Sequence, residues 1–319
     1  MRIALTGAAS FLGGRLLGRL AQERGPDGVV AVDLAAPPAH LAVRARAVDL
    51  TLPASDQRLL EVFREEEVDT VVHLAFFTNP RRDGGHAHEL ESIGTLNLLA
   101  AAAAAGVRRV VLRSWTAVYG AHGQNPALLT EDLALPVGPA FGWLREKREA
   151  ESHAASFARK VPGLAVTVLR LAPVFGPGVH SFYTRLFDRR VVPVLLGYDP
   201  LVQMLHPDDA LDALLRAIEA GGGGVYNVVP RRPITLLAAL HLAGKLPVAV
   251  PHPLAYAATD LLWSAGLGPA PSGFLEFVRY PLVADGEKAS RELGWQARHS
   301  SKESLLAYVA YRYRDADAA

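Results

Sequence analysis

Along the first half of the chain, short aliphatic runs alternate with longer stretches in which apolar residues recur at helical spacing. Arg2–Thr6, Val29–Asp33, Val43–Val48, Thr70–Leu74, Val110–Arg113 and Leu164–Arg170 predict strands. Leu12–Arg24, Ser55–Glu66, Ala87–Ala105 and Trp143–Arg159 predict helices between them. The strands carry Val, Leu and Ile on both faces instead of alternating with polar residues, as a parallel sheet covered by helices on each side requires. The expected fold is α/β, a doubly wound parallel sheet.

Beyond Arg170 the rhythm breaks up. Pro173, Gly176, Pro177 and Gly178 interrupt it, and a helix over Asp208–Ala220 stops at the Gly221–Gly224 run. A strand over Val225–Val228 and a helix with Thr235 at its N-cap follow. The proline- and glycine-rich segment Leu246–Gly273 reads as irregular around one helix, and Ser300 and Glu303 have the spacing of a capping box before the final helix. We expect residues 1–170 to form one domain to which 202–230 return, and 171–201 with 231–319 to form a smaller, discontinuous substrate lobe.

Composition removes several function classes. With 319 residues, half of them hydrophobic, the chain can bury a large core without staples. A formal net charge of +1 without a like-charge block gives no electrostatic footprint for nucleic acid or an anionic membrane. The absence of cysteine excludes a disulfide framework, a thiol nucleophile and thiolate metal sites. No apolar run is long enough to predict a membrane span, and the chain opens directly on a strand, so a cytoplasmic location is expected. The histidines show no HxxxH or His–carboxylate spacing on one helix face, so no metal site is expected.

The segment RIALTGAASFLGGRLLGRL places a glycine-bearing turn between the first strand and the first helix. Gly7 suits the tight turn and Gly13 close helix–strand packing, while the amides of Ser10, Phe11 and Leu12 at the helix N-terminus suit a pyrophosphate. Asp33 ends the next strand 20 residues after Gly13, where a carboxylate accepts both adenosine ribose hydroxyls and repels a 2′-phosphate. That favours NAD over NADP. Asp49 is either a neighbour of the adenine or a surface acid beside a turn. Ser10 stands where the middle glycine of such a loop would be, and a side chain there can crowd the pyrophosphate.

The motifs TGAASFLGG, VDL, HLA (His73–Ala75), GTLNLLAAA, AVYG, KREAE, VFGPG, HPDD and RELGW follow in that order from Arg2 to about Tyr308. Together they resemble the extended short-chain dehydrogenase/reductases, the NAD-dependent epimerase/dehydratase family. The resemblance implies a Rossmann-type fold, NAD as cofactor with Leu50, Leu74 and Ala75 among its contacts, and a homodimer through the helices Ala87–Ala105 and Trp143–Arg159. It also implies a Ser or Thr just after the fifth strand and a Tyr and Lys one helical turn apart. In such enzymes the Tyr hydroxyl moves the proton while hydride passes to or from the nicotinamide. The Lys binds the nicotinamide ribose and lowers the Tyr pKa, which starts at about 10.

Lys147, one of few lysines in an arginine-rich chain, matches the family's lysine. Four residues before it stands Trp143, and none of the nine tyrosines has a lysine four positions later. The serine slot, counted back from AVYG, is Trp115, with Ser114 and Thr116 flanking it and pointing to other sides of the strand end. An indole N–H donates a hydrogen bond but cannot relay a proton. On the substrate side, Pro173 and Val202 replace the Asn and Arg that hold a nucleotide-sugar diphosphate, and Glu91 replaces the Asn of NxxGT. A nucleotide sugar is therefore poorly supported, and the small-molecule ligand is left unspecified.

Among the remaining residues, His73 is expected to position loop backbone, His206 of HPDD to fix the lobe interface, and Tyr119 to be packed. Phe76, Phe77, Trp115 and Trp143 form an aromatic wall around the nicotinamide, or, for the first two, ordinary core. Two functional readings follow. One is an NAD(H)-binding sensor, scaffold or regulatory partner without the usual chemistry. The other is an oxidoreductase or epimerase for a secondary alcohol or carbonyl compound, its proton carried by Thr116, His73, Glu91 or Tyr183. A third, loss of the cofactor itself, is disfavoured by Asp33 and Lys147.

Overall fold

The computed structural model describes residues 1–136 and 142–318, with side chains through residue 314. Strands β1 (Ile3–Thr6), β2 (Val29–Val32), β3 (Arg44–Arg46), β4 (Thr70–His73), β5 (Arg109–Trp115) and β6 (Ala165–Leu171) alternate with helices. These are α1 (Phe11–Arg24), α2 (Ser55–Glu65), α3 (Gly84–His88), α4 (Gly94–Ala105) and α5 (Gly142–Lys160). The chain then runs through α6 (Phe182–Arg185), β7 (Val191–Leu195), β8 (Leu201–Val202), α7 (Pro207–Glu219) and β9 (Gly224–Val228). It ends with β10 (Ile234–Thr235), α8 (Leu236–Leu242), β11 (Leu246–Val250), α9 (His252–Ser264), α10 (Glu287–Leu293) and α11 (Ser301–Ala318).

Seven strands form one sheet in the order β3-β2-β1-β4-β5-β6-β9, and every neighbouring pair is parallel. This is a Rossmann-type doubly wound sheet. Its strand order reverses between β1 and β4, so the ligand crevice of such a sheet opens at their carboxyl ends. One face packs Leu12, Leu16 and Leu20 of α1 and Leu214 of α7; the other packs Leu59 and Phe63 of α2, Leu98 of α4 and Ala150 of α5. A third, separate hydrophobic cluster includes Phe175, Phe187, Met204, Leu240 and Tyr308.

Three elements differ from the sequence expectation. The edge strand β3 covers only Arg44–Arg46 of the Val43–Val48 run. The single helix expected over Ala87–Ala105 is interrupted by a π-turn at Glu89–Ile93 between α3 and α4. Inside Leu246–Gly273, residues Leu246–Val250 form a strand, β11, paired in parallel with β7. Pro247 is accommodated because this ladder is two-stranded, so both strands are edges and a missing N–H is tolerated.

The carboxylate of Asp209, in the first turn of α7, ties the segment before α11 to the large sheet. It accepts from the amides of Arg298 (3.1 Å) and His299 (3.0 Å) and pairs with His299 Nδ1 at 3.0 Å. His206 caps α7 by accepting from the Asp208 amide and stacks on His299 at 4.0 Å between ring centroids. Trp295 Nε1 donates to the Asp209 carbonyl. Among the described residues, no helix is long and apolar enough to cross a membrane.

Candidate cofactor and active site

The turn after β1 is built for close approach. Gly7 has φ +70°, and a Cβ there would lie 2.6 Å from the Leu74 carbonyl carbon. A Cβ on Gly13 would lie 2.0 Å from the Gly7 carbonyl oxygen, so helix and turn meet only because both residues are glycine. Ser10 occupies the N-cap of α1, and its Oγ accepts from the Gly13 amide at 3.1 Å. The hydroxyl is thereby folded back onto the helix. The amides of Phe11 and Leu12, first in the helix, have no intrahelical acceptor and stand at its positive end.

Asp33 follows β2 on the same rim, and its carboxylate accepts from the amides of Ala9 (2.9 Å) and Ala35 (3.3 Å). The cradle left by Gly7 and Gly13, the helix amides and this acid together fit the diphosphate and adenosine ribose of a dinucleotide. Asp49 accepts from the amide and hydroxyl of Thr51 at 2.9 and 2.7 Å, which holds its carboxyl below the usual range. Leu50 is buried beside Gly94, and Leu74 and Ala75 form the floor against Gly7.

The second half of the candidate site is organised around a buried lysine. Lys147 Nζ lies 2.9 and 2.8 Å from the two carboxylate oxygens of Glu91, and both side chains are sealed, at 0% and 1% exposure. The same ammonium sits 4.4 Å from the ring centroid of Trp115 and 4.3 Å from that of Trp143. Cation–π attraction strengthens when the ion is desolvated, as here. Glu91 Oε1 also accepts from the Phe77 amide at 2.6 Å, while Trp143 Nε1 donates to the Phe77 carbonyl at 3.3 Å. Glu91, Trp115 and Trp143 thus close one interlocked cage around the lysine.

Burial lowers the Lys147 pKa to about 8 even though Glu91 acts the other way, and burial raises Glu91 against the pull of Lys147. The aromatic wall extends as a chain of ring contacts. Phe76 meets Trp115 at 5.5 Å, Trp115 meets Trp143 at 6.2 Å, Trp143 meets Phe274 at 5.3 Å and Phe274 meets Phe182 at 4.7 Å. It runs from β5 and α5 to Phe274 and on to Phe182 of α6.

The other candidates have defined partners or positions. His73 is fully buried, with Nδ1 2.6 Å from Thr6 Oγ1 and Nε2 3.1 Å from Thr95 Oγ1; desolvation lowers its pKa to about 3, so the ring is neutral. Its partners are hydroxyl side chains, not loop backbone. Ser114 Oγ donates to Glu151, which also binds Arg170 in bidentate fashion, so Ser114 belongs to a separate buried network. Thr116 is buried at the start of the 3-10 turn after β5. Tyr119 Oη bonds the Thr130 carbonyl and Asn227 Oδ1, a packed position. Burial raises the pKa of Tyr183. Pro173 and Val202 serve strand-like pairing, with Leu205 and Ile234 respectively.

Sequence reasoning missed two groups here. Arg113, on β5, is buried with its guanidinium 4.4 Å from the Trp115 centroid. Its Nη2 reaches Thr78 Oγ1 at 3.4 Å, its Nε has no hydrogen-bond partner, and no described carboxylate lies within ion-pair distance. Burial lowers its pKa to about 10, so it remains a cation near neutral pH. The signal was present, since a lone Arg closes the otherwise aliphatic run VVLR. Phe274 was missed because nothing local links a residue so distant in sequence to Trp143.

The sequence model of the NAD dependent epimerase/dehydratase family matches residues 3–228. The chain belongs to this family. An uncharacterized protein of Mycobacterium tuberculosis is 34% identical over 314 residues, covering 97% of this chain and 84% of the relative. The 3-diazoavenalumate denitrifying reductase of a Streptomyces species is 30% identical over 323 residues, covering 94% of this chain and 97% of the relative. Among solved structures, MoeE5 in complex with UDP-glucuronic acid and NAD superposes with a TM-score of 0.76 at 26% identity, covering 99% of this chain and all of the other.

Proposed function

We propose that this protein binds NAD(H) in the crevice between β1 and β4 and does not run the family's Ser/Tyr proton relay. Phe11, Leu12 and the turn at Gly7, Ser10 and Gly13 take the diphosphate, Asp33 takes the adenosine ribose, and Asp49, Leu50, Leu74 and Ala75 flank them. The observation that carries the second half of the proposal is the enclosure of Lys147 by Glu91, Trp115 and Trp143. A lysine already held on three sides is not presented to a nicotinamide ribose, and neither indole can shuttle a proton. The reading is of a cofactor-responsive sensor, scaffold or regulatory partner in the cytoplasm, homodimeric through the helices of Ala87–Ala105 and Trp143–Arg159.

A second reading has specific support. The Streptomyces relative is a reductase, and Arg113 is a buried cation with no carboxylate partner among the described residues, suited to an anionic group on a substrate. In this reading the chain reduces or oxidises a compound other than a nucleotide sugar, with Thr116 or another substitute as proton carrier.

One experiment separates the two. Purified protein is assayed for co-purifying NAD(H), titrated with NAD+ and NADH by calorimetry, and then followed at the nicotinamide absorbance band with sugar nucleotides, hydroxysteroids and other secondary alcohols. The expected result is binding without turnover. Turnover that disappears in Lys147→Ala would overturn the non-catalytic reading, and absence of binding to either cofactor form would overturn both.

A further inference from the structure

Next to the cage, His88 at the end of α3 meets the buried Glu146 and the partly exposed Glu149, one turn apart on α5. His88 Nδ1 lies 2.6 Å from Glu146 Oε2 and 3.5 Å from Glu149 Oε2, and the three donor atoms all fall within 4.8 Å of one another. The other oxygens are turned away. Glu146 Oε1 accepts from Arg145 Nη2 at 2.7 Å, and Glu149 Oε1 faces Arg145 Nε at 3.9 Å. Each carboxylate therefore gives one oxygen to the arginine and keeps the other for the point at which His88 aims.

We propose that His88 Nδ1, Glu146 Oε2 and Glu149 Oε2 form a zinc site, with Arg145 orienting the two carboxylates from outside. Bonds of about 2.0–2.1 Å in a tetrahedral shell separate neighbouring donors by roughly 3.3 Å, so the observed spacing needs only small side-chain adjustments. An imidazole nitrogen beside carboxylate oxygens suits zinc over magnesium or calcium, which prefer all-oxygen shells. Water completes the fourth position. Carboxylate ligands are commonly held by further hydrogen bonds, the part Arg145 plays here.

The placement has a consequence for the cofactor site. His88 immediately precedes the π-turn that carries Glu91, and Glu146 immediately precedes Lys147. A metal bridging them pins the two segments whose side chains form the buried ion pair. A search for single-helix motifs does not find this cluster, because its ligands come from two helices.

The test uses the full chain, free of any affinity tag and stripped with chelator, titrated with zinc alone by calorimetry and by competition with a chromophoric chelator. The expected result is one equivalent of zinc per chain at micromolar or tighter affinity, a raised Tm in the presence of zinc, and no competition from millimolar magnesium. His88→Ala and Glu149→Gln, both at partly exposed positions, are each expected to weaken binding at least tenfold. His122→Ala, at an exposed residue elsewhere, is expected to leave it unchanged. Zinc uptake that is absent, or that survives in the His88→Ala/Glu149→Gln double variant, would show that the cluster is only a hydrogen-bonded surface network. Circular dichroism confirms that the variants are folded before either result is read.

Discussion

At the scale of single residues, the decisive feature is a charge pair that solvent does not reach. Lys147 and Glu91 offset each other's desolvation, so removing one should cost far more than removing both. Lys147→Met leaves a buried carboxylate with the Phe77 amide as its remaining donor, and we expect a loss of about 3–5 kcal/mol in urea denaturation. Adding Glu91→Gln keeps an acceptor for that amide while deleting the charge, and should recover a substantial part of the loss. Simple additivity of the two substitutions would show that the pair is not coupled. The two tryptophans were legible as residues of interest, because counting back from Lys147 and from AVYG lands on Trp143 and Trp115. That they converge on one ammonium was not, since β5, the π-turn and α5 are brought together only by the order of strands and helices.

At the scale of elements, most of the sheet could be read from aliphatic runs, because a strand buried on both faces leaves no alternative polar pattern. The π-turn could not be read, as nothing in ELESI distinguishes it from ordinary helix. The turn from β1 into α1 was legible in position, since only glycine fits where backbone meets backbone. Gly13→Ala tests that fit. Its Cβ would have to occupy the space of the Gly7 carbonyl oxygen, which forces α1 outward from the sheet. We expect a Tm lower by several degrees together with NAD(H) affinity reduced at least tenfold, whereas Gly14→Ala, whose Cβ would make ordinary contact, should change neither greatly. Equal behaviour of the two variants in thermal melts and calorimetry would remove Gly13 from the binding site.

At the scale of the whole molecule, the hydrogen-bonded chain through Thr6, His73 and Thr95 crosses from the first strand to the helix behind the π-turn. Burial, which penalises the charged form, keeps the imidazole at its centre neutral. The folded pKa of about 3 lies below the unfolded value of 6.5, so the unfolded chain binds the extra proton between them. This contribution is complete above pH 6.5 and is lost as pH falls towards 3, at up to about 1.4 kcal/mol per pH unit. Stability from denaturant midpoints across that window should slope accordingly, and His73→Gln should flatten the slope. An unchanged slope in the variant would assign acid sensitivity to other groups. The proline-rich second half was less legible than the first because its strands are short and paired in twos, with little repetition for a period to register.

Two of the four tryptophans, Trp115 and Trp143, stand in contact at the end of the crevice where a nicotinamide ring would lie. Indole emission overlaps the absorption of reduced nicotinamide, so a bound NADH would drain light from this pair and glow in its place, whereas NAD+ would not. The oxidation state of the cofactor would thus be written into the colour of the protein's own fluorescence, with no dye attached.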